Sequence, residues 1–233
     1  MVNIRENENS YLNVVEMFAG VGGFRVGLER ANADFFRTVF ANQWEPSKKV
    51  QYAFDCYQSH FTEGVCEYSN VDIAEVPTEF FQNLDIDLLV GGFPCQDYSV
   101  ARSLSGEQGI YGQKGVLFWE IKRVIENSNP KYVLLENVDR LIKSPAKQRG
   151  RDFAVMLATF RELDYTLEWR VIDASEYGNV QRRKRVFLFA TRNDLAYTTA
   201  QRELEESDIL FNRGFFASLF PVGPIPYKNR YNT

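Results

Sequence analysis

Residues 12–18 (LNVVEMF) form a run rich in apolar side chains, the pattern of a buried strand, and lead straight into the glycine-rich AGVGG of residues 19–23. Val21, Phe24, Leu28 and Ala31 then recur at helical spacing, so the segment reads as strand, glycine turn, helix. The rhythm repeats. Residues 36–42 read as a short strand. Val50, Phe54, Tyr57 and Phe61 form a helical stripe after Pro46-Ser47, which suits a helix start. This predicts a helix over 47–61, with Cys56 in the core and His60 at the helix end or surface. A third apparent strand ends at Asp72. Residues 86–90 form a compact apolar strand closed by Gly91-Gly92, and residues 93–115 follow with glycine and serine but little periodicity. Leu117, Ile121, Val124 and Ile125 mark a helix, residues 132–135 a strand, and Phe153, Met156, Leu157, Phe160 and Leu163 another helix. Residues 167–172 and 186–190 read as the last two strands. Past Arg192 the pattern fades into a charged, helix-like stretch over 201–208 and an aperiodic end over 211–233.

Strands alternating with helices predict a mostly parallel sheet covered on both faces. The division expected is a polar tail over 1–11, one domain over 12–192, and a linker or the start of a further region over 193–233. In such sheets ligands bind beyond the carboxyl ends of the strands, which points at Gly20, Trp44, Cys95 and Glu136.

Composition narrows the class. Of 233 residues, 45% are hydrophobic and 25% charged, which excludes wholesale disorder, collagen-like repeats and a coiled coil. No apolar run approaches the roughly 20 residues of a membrane span, and the opening MVNIRENENSYLN lacks a signal-peptide core. Three cysteines do not make a disulfide framework, so a reducing cytoplasm is expected. One histidine, without CxxC or HExxH, predicts no metal site. The net charge of −4 is unusual for a domain that grips nucleic acid alone. Such binding would need a local basic patch or a further module.

Five places can carry chemistry. The turn Phe18-Ala19-Gly20-Val21-Gly22-Gly23 lets a ligand approach backbone N–H groups, or is only a tight turn. It is not the dinucleotide fingerprint, because Arg25 occupies the last glycine position. Cys95, after Pro94 at the end of a buried strand, is a nucleophile or a structural thiol. Glu136, beyond an apolar strand, is a proton donor or a surface carboxylate. Four cations over 182–185 begin a strand, so Arg183 and Arg185 must share one face and Arg182 and Lys184 the other. Trp44, between Gln43 and Glu45, can stack on a nucleobase while a polar neighbour holds a ribose.

Together these segments resemble the cytosine-5 DNA methyltransferase family. Residues 16–23 (EMFAGVGG) resemble its first, cofactor-binding motif. GGFPCQ at 91–96 with Ser99 resembles the Pro-Cys nucleophile motif. Glu136-Asn137-Val138 resembles the catalytic Glu-Asn-Val, and Gln181-Arg182-Arg183-Lys184-Arg185 the Gln-Arg-x-Arg-Arg motif. The four occur in the family's order across residues 14–190. Two departures are visible: Glu16 stands where the first motif usually opens with Asp, and Gln43 rather than an acid precedes Trp44.

The resemblance implies a Rossmann-like α/β fold with a mostly parallel seven-stranded sheet, binding S-adenosyl-L-methionine (AdoMet). It implies that Phe18, Gly20, Gly22, Gly23 and Pro94 shape the methionine side. Trp44 would stack on adenine, Gln43 or Glu45 would hold the ribose, and Asp72 would face the adenine amine. Cys95 would attack cytosine, with Glu136, Arg183 and Arg185 as catalytic partners. Gln96, Ser99, Asn137, Val138 and Gln181 would line the substrate. The substrate implied is a cytosine flipped out of duplex DNA, in a restriction-modification setting, with residues 99–115 closing over it. A tRNA-modifying branch shares the Pro-Cys motif. Full-length members continue into a target-recognition domain, which this sequence is expected to lack or to receive from a partner; the expected reading is the catalytic domain of a DNA enzyme, with an RNA cytosine-5 methyltransferase or an incomplete AdoMet-binding fragment needing a partner chain as the alternatives.

Overall fold

The structure, a computed structural model, describes residues 11–62, 66–93, 117–144 and 148–222. Their strands form one seven-stranded sheet: β1 (Leu12–Met17), β2 (Phe36–Asn42), β3 (Glu67–Ser69), β4 (Leu88–Gly92), β5 (Tyr132–Val138), β6 (Tyr165–Asp173) and β7 (Lys184–Arg192). The order across the sheet is β3-β2-β1-β4-β5-β7-β6. β7 runs antiparallel to β5 and β6, and the other pairings are parallel. The expected α/β sheet, mostly parallel with helices on both faces, is the one observed.

Strand alternation assigns the two faces. Val15 and Met17 join Leu89, Val133, Leu135 and Leu188 under α3 (Thr78–Gln82), α4 (Leu117–Ser128) and α5 (Arg151–Glu162). α4 alone buries Phe118, Ile121, Val124 and Ile125, each about 1.5–3 kcal/mol of transfer free energy. Leu12 and Val14 face the other way, with Leu88, Val90 and Phe189, against Phe24 and Leu28 of α1 (Gly23–Asn32). α2 (Tyr52–His60) covers the same side through Tyr57, which packs with Phe61 against Ala19 and Ala41. Packing continues past Arg192: Leu195 and Phe216 are buried with Leu12 and Val14, and α6 (Ala196–Arg202) follows β7 directly. The stretch expected as one charged helix over 201–208 is split between the end of α6 and a short α7 (Glu206–Asp208).

Two expectations about the 47–61 helix are corrected. It begins at Tyr52, not 47, and Val50 is exposed. The Gln51 side chain explains the delay. Its oxygen accepts from Glu45 N at 2.8 Å and its amide donates to the Glu45 and Lys48 carbonyls at 2.9 Å, closing a loop that competes with helix. Cys56 is exposed rather than core, because the helix turns Tyr57 inward and its preceding neighbour lies about 100° away. His60 is the last residue of α2, as expected.

The topology sets where chemistry can occur. β1 to β5 end at one edge of the sheet, and β7, being reversed, begins there. The chain leaves β1 on one side for β2 and reaches β4 on the other, so the crevice beyond β1 and β4 is the switch point.

Candidate active site

β1 ends in a turn of unusual backbone. Phe18 has φ 55°, a region costly for a side chain with a Cβ and concentrated at functional sites. Ala19 N donates to Asn42 O at 3.0 Å and Gly20 N to Gln43 Oε1 at 2.7 Å, so the turn is tied to the end of β2. Asn42 continues the tie outward: its amide donates to Ser69 Oγ at 3.2 Å and to Val71 O at 3.0 Å. Parallel register does the rest, setting Met17 beside Asn42 and Asn42 beside Ser69. Phe18–Gly23, Gln43–Glu45 and Asp72 are thereby brought side by side. Trp44 is half-buried. The Gln43 oxygen is spent on Gly20, which leaves its amide nitrogen and the Glu45 carboxylate as polar groups beside Trp44. Asp72 caps a short 3-10 turn, accepting from Ala74 N at 3.1 Å.

Below the turn, Glu16 is 1% exposed, and alternation directs it to the α2 side, where the Tyr57 hydroxyl donates to Oε2 at 2.8 Å. Burial pushes the Glu16 carboxyl up to about 7, against the opposing pull of the Tyr57 hydrogen bond and of Arg25. Arg25, 5% exposed, lies over the Phe61 ring at 4.2 Å and bonds Glu29 at 2.7 Å. Burial likewise pushes the half-buried Cys66 thiol up to about 11, the state of an inert rather than a reactive cysteine. A Cβ on Gly22 would lie 2.3 Å from the Phe61 ring, and its φ is 89°, so only glycine fits between the turn and α2. The Tyr57 and Phe61 support of the turn was legible only as core spacing.

The second half of the site forms where β4, β5 and β7 meet. Register places Glu136 between Gly92 and Phe187, and Val138 opposite Arg185. Glu136 therefore lies within β5 rather than beyond it. Its Oε1 is 2.7 Å from Arg185 Nε and 3.9 Å from Arg183 Nη2. Its Oε2 is turned to β4, where a Cβ on Gly92 would lie 3.3 Å away. Gly91 is needed for another reason: a Cβ there would lie 2.8 Å from Met17 O of β1. The predicted alternation of cations holds. Arg183 and Arg185 face Glu136, while Arg182 and Lys184 lie 3.7 and 3.9 Å from Asp173 Oδ2.

Asn137 departs from the expected place at the substrate. It is 1% exposed, its amide donates to Phe93 O at 2.9 Å, and its Oδ1 accepts from Val138 N at 2.8 Å. It anchors the end of β4 instead of projecting outward. Val138 is half-buried and Gln181 exposed, the latter's N–H bonded to Asn179 Oδ1 at 2.9 Å. Pro94, Cys95, Gln96, Ser99 and the rest of the stretch expected to close over substrate lie outside the described residues, which reach Phe93 and resume at Leu117. No described helix is long and apolar enough to cross a membrane.

Comparison with known proteins gives the same assignment. A Type II methyltransferase of Staphylococcus aureus, M.Sau3AI, is 58% identical over 221 residues, covering 95% of this chain and 53% of the relative. The Haemophilus parahaemolyticus Type II methyltransferase M.HhaI is 34% identical, covering 84% of this chain and 54% of its own length. The chain thus spans about half the length of the curated relatives it matches. The crystal structure of the S. pombe Dnmt2 methyltransferase shares the fold, with a TM-score of 0.60 at 22% identity over 85% of this chain and 53% of that one. Residues 12–215 match the family model described as C-5 cytosine-specific DNA methylase, and with the four motifs and this sheet the chain belongs to that family.

Proposed function

We propose that this chain forms the AdoMet-binding, catalytic part of a bacterial cytoplasmic enzyme that methylates carbon-5 of cytosine in duplex DNA through a covalent Cys95 adduct, in a restriction-modification setting. The observation that carries the reading is the Glu136 arrangement. One carboxyl oxygen is pinned by Arg185, the other faces Gly92, and the chain reaches Cys95 three residues after Gly92. Asn137 supports it by fixing the carbonyl of Phe93, from which Pro94-Cys95 departs.

The residues then have separate tasks. The Cys95 thiolate forms a bond to carbon-6 of the flipped base. Electron density moves through the ring to nitrogen-3, where Glu136 gives up a proton from Oε2, the oxygen turned to Gly92. Arg185 holds Oε1 and offers its remaining donors to the base oxygen, and Arg183 positions Cys95 or a phosphate. Carbon-5 thereby becomes nucleophilic. When bound, AdoMet supplies the methyl group. Loss of the carbon-5 proton to a base, departure of the Cys95 sulfur as thiolate and return of the nitrogen-3 proton to the Glu136 carboxylate restore the aromatic ring.

The chain's own groups fit AdoMet. The Phe18 to Gly23 turn exposes backbone at the switch point, with Gly20 and Gly23 leaving room for the methionine end, Gly22 seating the turn on Phe61, and Pro94 bordering it. Trp44 supplies a face for adenine, Glu45 or the Gln43 amide a partner for ribose hydroxyls, and Asp72 an acceptor for the adenine amine. Gln96, Ser99, Val138 and Gln181 are assigned to the base and its strand.

Covalent trapping tests the reading. Mixed with AdoMet and duplex DNA containing 5-fluorocytosine, the chain is expected to form a denaturant-resistant adduct that Cys95→Ser abolishes. A parallel reaction with tRNA gives none. An adduct that survives Cys95→Ser, or one formed with tRNA alone, overturns it.

A further inference from the structure

The sheet ends at β6, and among the described residues no strand pairs with its outer side. The ladder with β7 decides which backbone groups are left over. Asn193 N donates to Asp164 O at 3.0 Å at one end and Ala174 N to Arg183 O at 3.0 Å at the other, with unbroken antiparallel register between them. Residues two apart point their backbone groups the same way in such a ladder. Thr166, Glu168, Arg170 and Ile172 therefore spend their N–H and C=O groups on β7, while Leu167, Trp169 and Val171 turn theirs out of the sheet. No hydrogen bond reaches those three from the other described residues.

Proteins ordinarily blunt an open edge with a proline, a bulge, a short strand or a charge aimed along it. β6 uses none of these. It runs nine residues without proline, glycine or register shift. Its two central charges are engaged on the face away from α5: Glu168 accepts from Phe215 N at 2.7 Å and Phe216 N at 3.1 Å, and Arg170 donates to the carbonyls of Leu210 and Phe220. On the α5 face Trp169 and Val171 are 42% and 38% exposed, with the Phe153 ring edge-on to Trp169 at 5.3 Å.

The edge is also the floor of a groove of about 550 Å³. Leu157 and Arg161 of α5 wall one side, and Asn193 with Arg202, the last residue of α6, the other. Arg161 and Arg202 are exposed and make no ion pair among the described residues. The carboxylate that lines the groove, Asp164, is already bonded by the Asn193 amide at 2.7 Å. β6 runs parallel to β5, so the groove at its start lies at the end of the sheet away from Glu136.

We infer that the β6 edge is a docking strand for an extended, acidic segment of a second polypeptide. Main-chain bonds to Leu167, Trp169 and Val171 supply the hold, Trp169 and Val171 pack against alternate side chains of the segment, and Arg161 and Arg202 select carboxylates. Charge decides the occupant. A second copy of this chain carries the same two arginines at its own edge and so lacks the complement.

The probe is a capped peptide of alternating glutamate and valine, about six residues long, the usual length of a strand. Its lysine–valine counterpart is the control. With the acidic peptide, amide hydrogen exchange is expected to slow at Leu167, Trp169 and Val171 and to stay unchanged at Thr166, Glu168 and Arg170, which β7 already protects. The lysine peptide should bind about tenfold more weakly or worse. Arg161→Glu with Arg202→Glu should reverse that preference. Val171→Pro removes an outward N–H without touching a bond to β7 and should weaken both peptides; should this variant fail to fold, the arginine pair still decides. Cys95 trapping should be the same in every folded variant. Unchanged exchange at saturating peptide, or equal affinity for the two peptides, would overturn the inference. So would protection of the three amides without peptide: protection that grows with protein concentration would give the edge to a second copy, and protection independent of concentration would give it to the chain itself.

Discussion

Glu16 and Tyr57, 41 residues apart in the chain, meet at 2.8 Å directly beneath the glycine turn. β1 delivers the carboxyl and α2 the hydroxyl, and Phe61, directly after α2, lies against Gly22. The turn proposed to receive AdoMet is thus built on the α1–α2 side of the sheet rather than on its own sequence alone.

That placement makes stability depend on pH. The folded Glu16 value of about 7 stands above the ordinary 4.5, so the fold binds the proton more tightly than the unfolded chain. Stability from this group is full below pH about 4.5 and is lost as pH rises through about 7, a swing of about 3 kcal/mol. Glu16→Gln keeps an acceptor for Tyr57 and cannot ionise. Urea unfolding at pH 5 and pH 8 should show the wild type losing stability relative to this variant. Parallel curves would mean that Glu16 titrates alike in both states.

Gly22→Ala forces a Cβ to within 2.3 Å of the Phe61 ring at a φ of 89°. A cost of about 1–3 kcal/mol in stability and weaker AdoMet binding are expected. Adding Phe61→Leu should return part of the stability, because it relieves the contact but not the backbone strain. Calorimetric titration with AdoMet and thermal unfolding read both effects.

Glu136→Gln preserves the shape of the site and removes the ionisable group. Methyl transfer by the enzyme supplied with its target-recognition segment should fall by about 10²-fold or more, with the unfolding midpoint little changed. Wild-type turnover in this variant would remove Glu136 from the reaction.

Asn137→Ala strands the Phe93 carbonyl and opens the tie between β5 and the end of β4. A loss of about 1–3 kcal/mol is expected for the unpaired buried group. If the tie also sets the approach of Cys95, adduct formation with 5-fluorocytosine DNA should slow while AdoMet affinity stays constant. A slowing matched by weaker AdoMet binding would point to general loosening instead.

Local pattern disclosed a good part of this. The apolar runs of β1, β4, β5 and β7 and the stripes of α4 and α5 are visible because burial imposes its period on the sequence, whereas of the stripe read for α1 only Phe24 and Leu28 pack on the sheet and Val21 and Ala31 are exposed. Alternation at 182–185 put Arg183 and Arg185 on one face, as observed, although β7 begins only at Lys184 and Arg183 lies in the extended segment before it. Where reading failed, a side chain had acted at a distance from its own period. Gln51 delayed α2 by folding back on Glu45, and Cys56 missed the core by one step of the helix. Asn137 resembled a substrate residue but was recruited by the Phe93 carbonyl, 44 residues away.

The sequence by itself determined the family, the alternating strands and helices, and the residue types of the four motifs, because these are carried by short-range spacing and composition. Only the tertiary structure decided which of those residues meet. Parallel register put Gln43 on Gly20, reversed β7 put Arg185 on Glu136, and the crossing of α2 over β1 put Tyr57 on Glu16. Contacts between elements far apart in the chain follow from how sheet and helices pack around a shared core, and no local period records them.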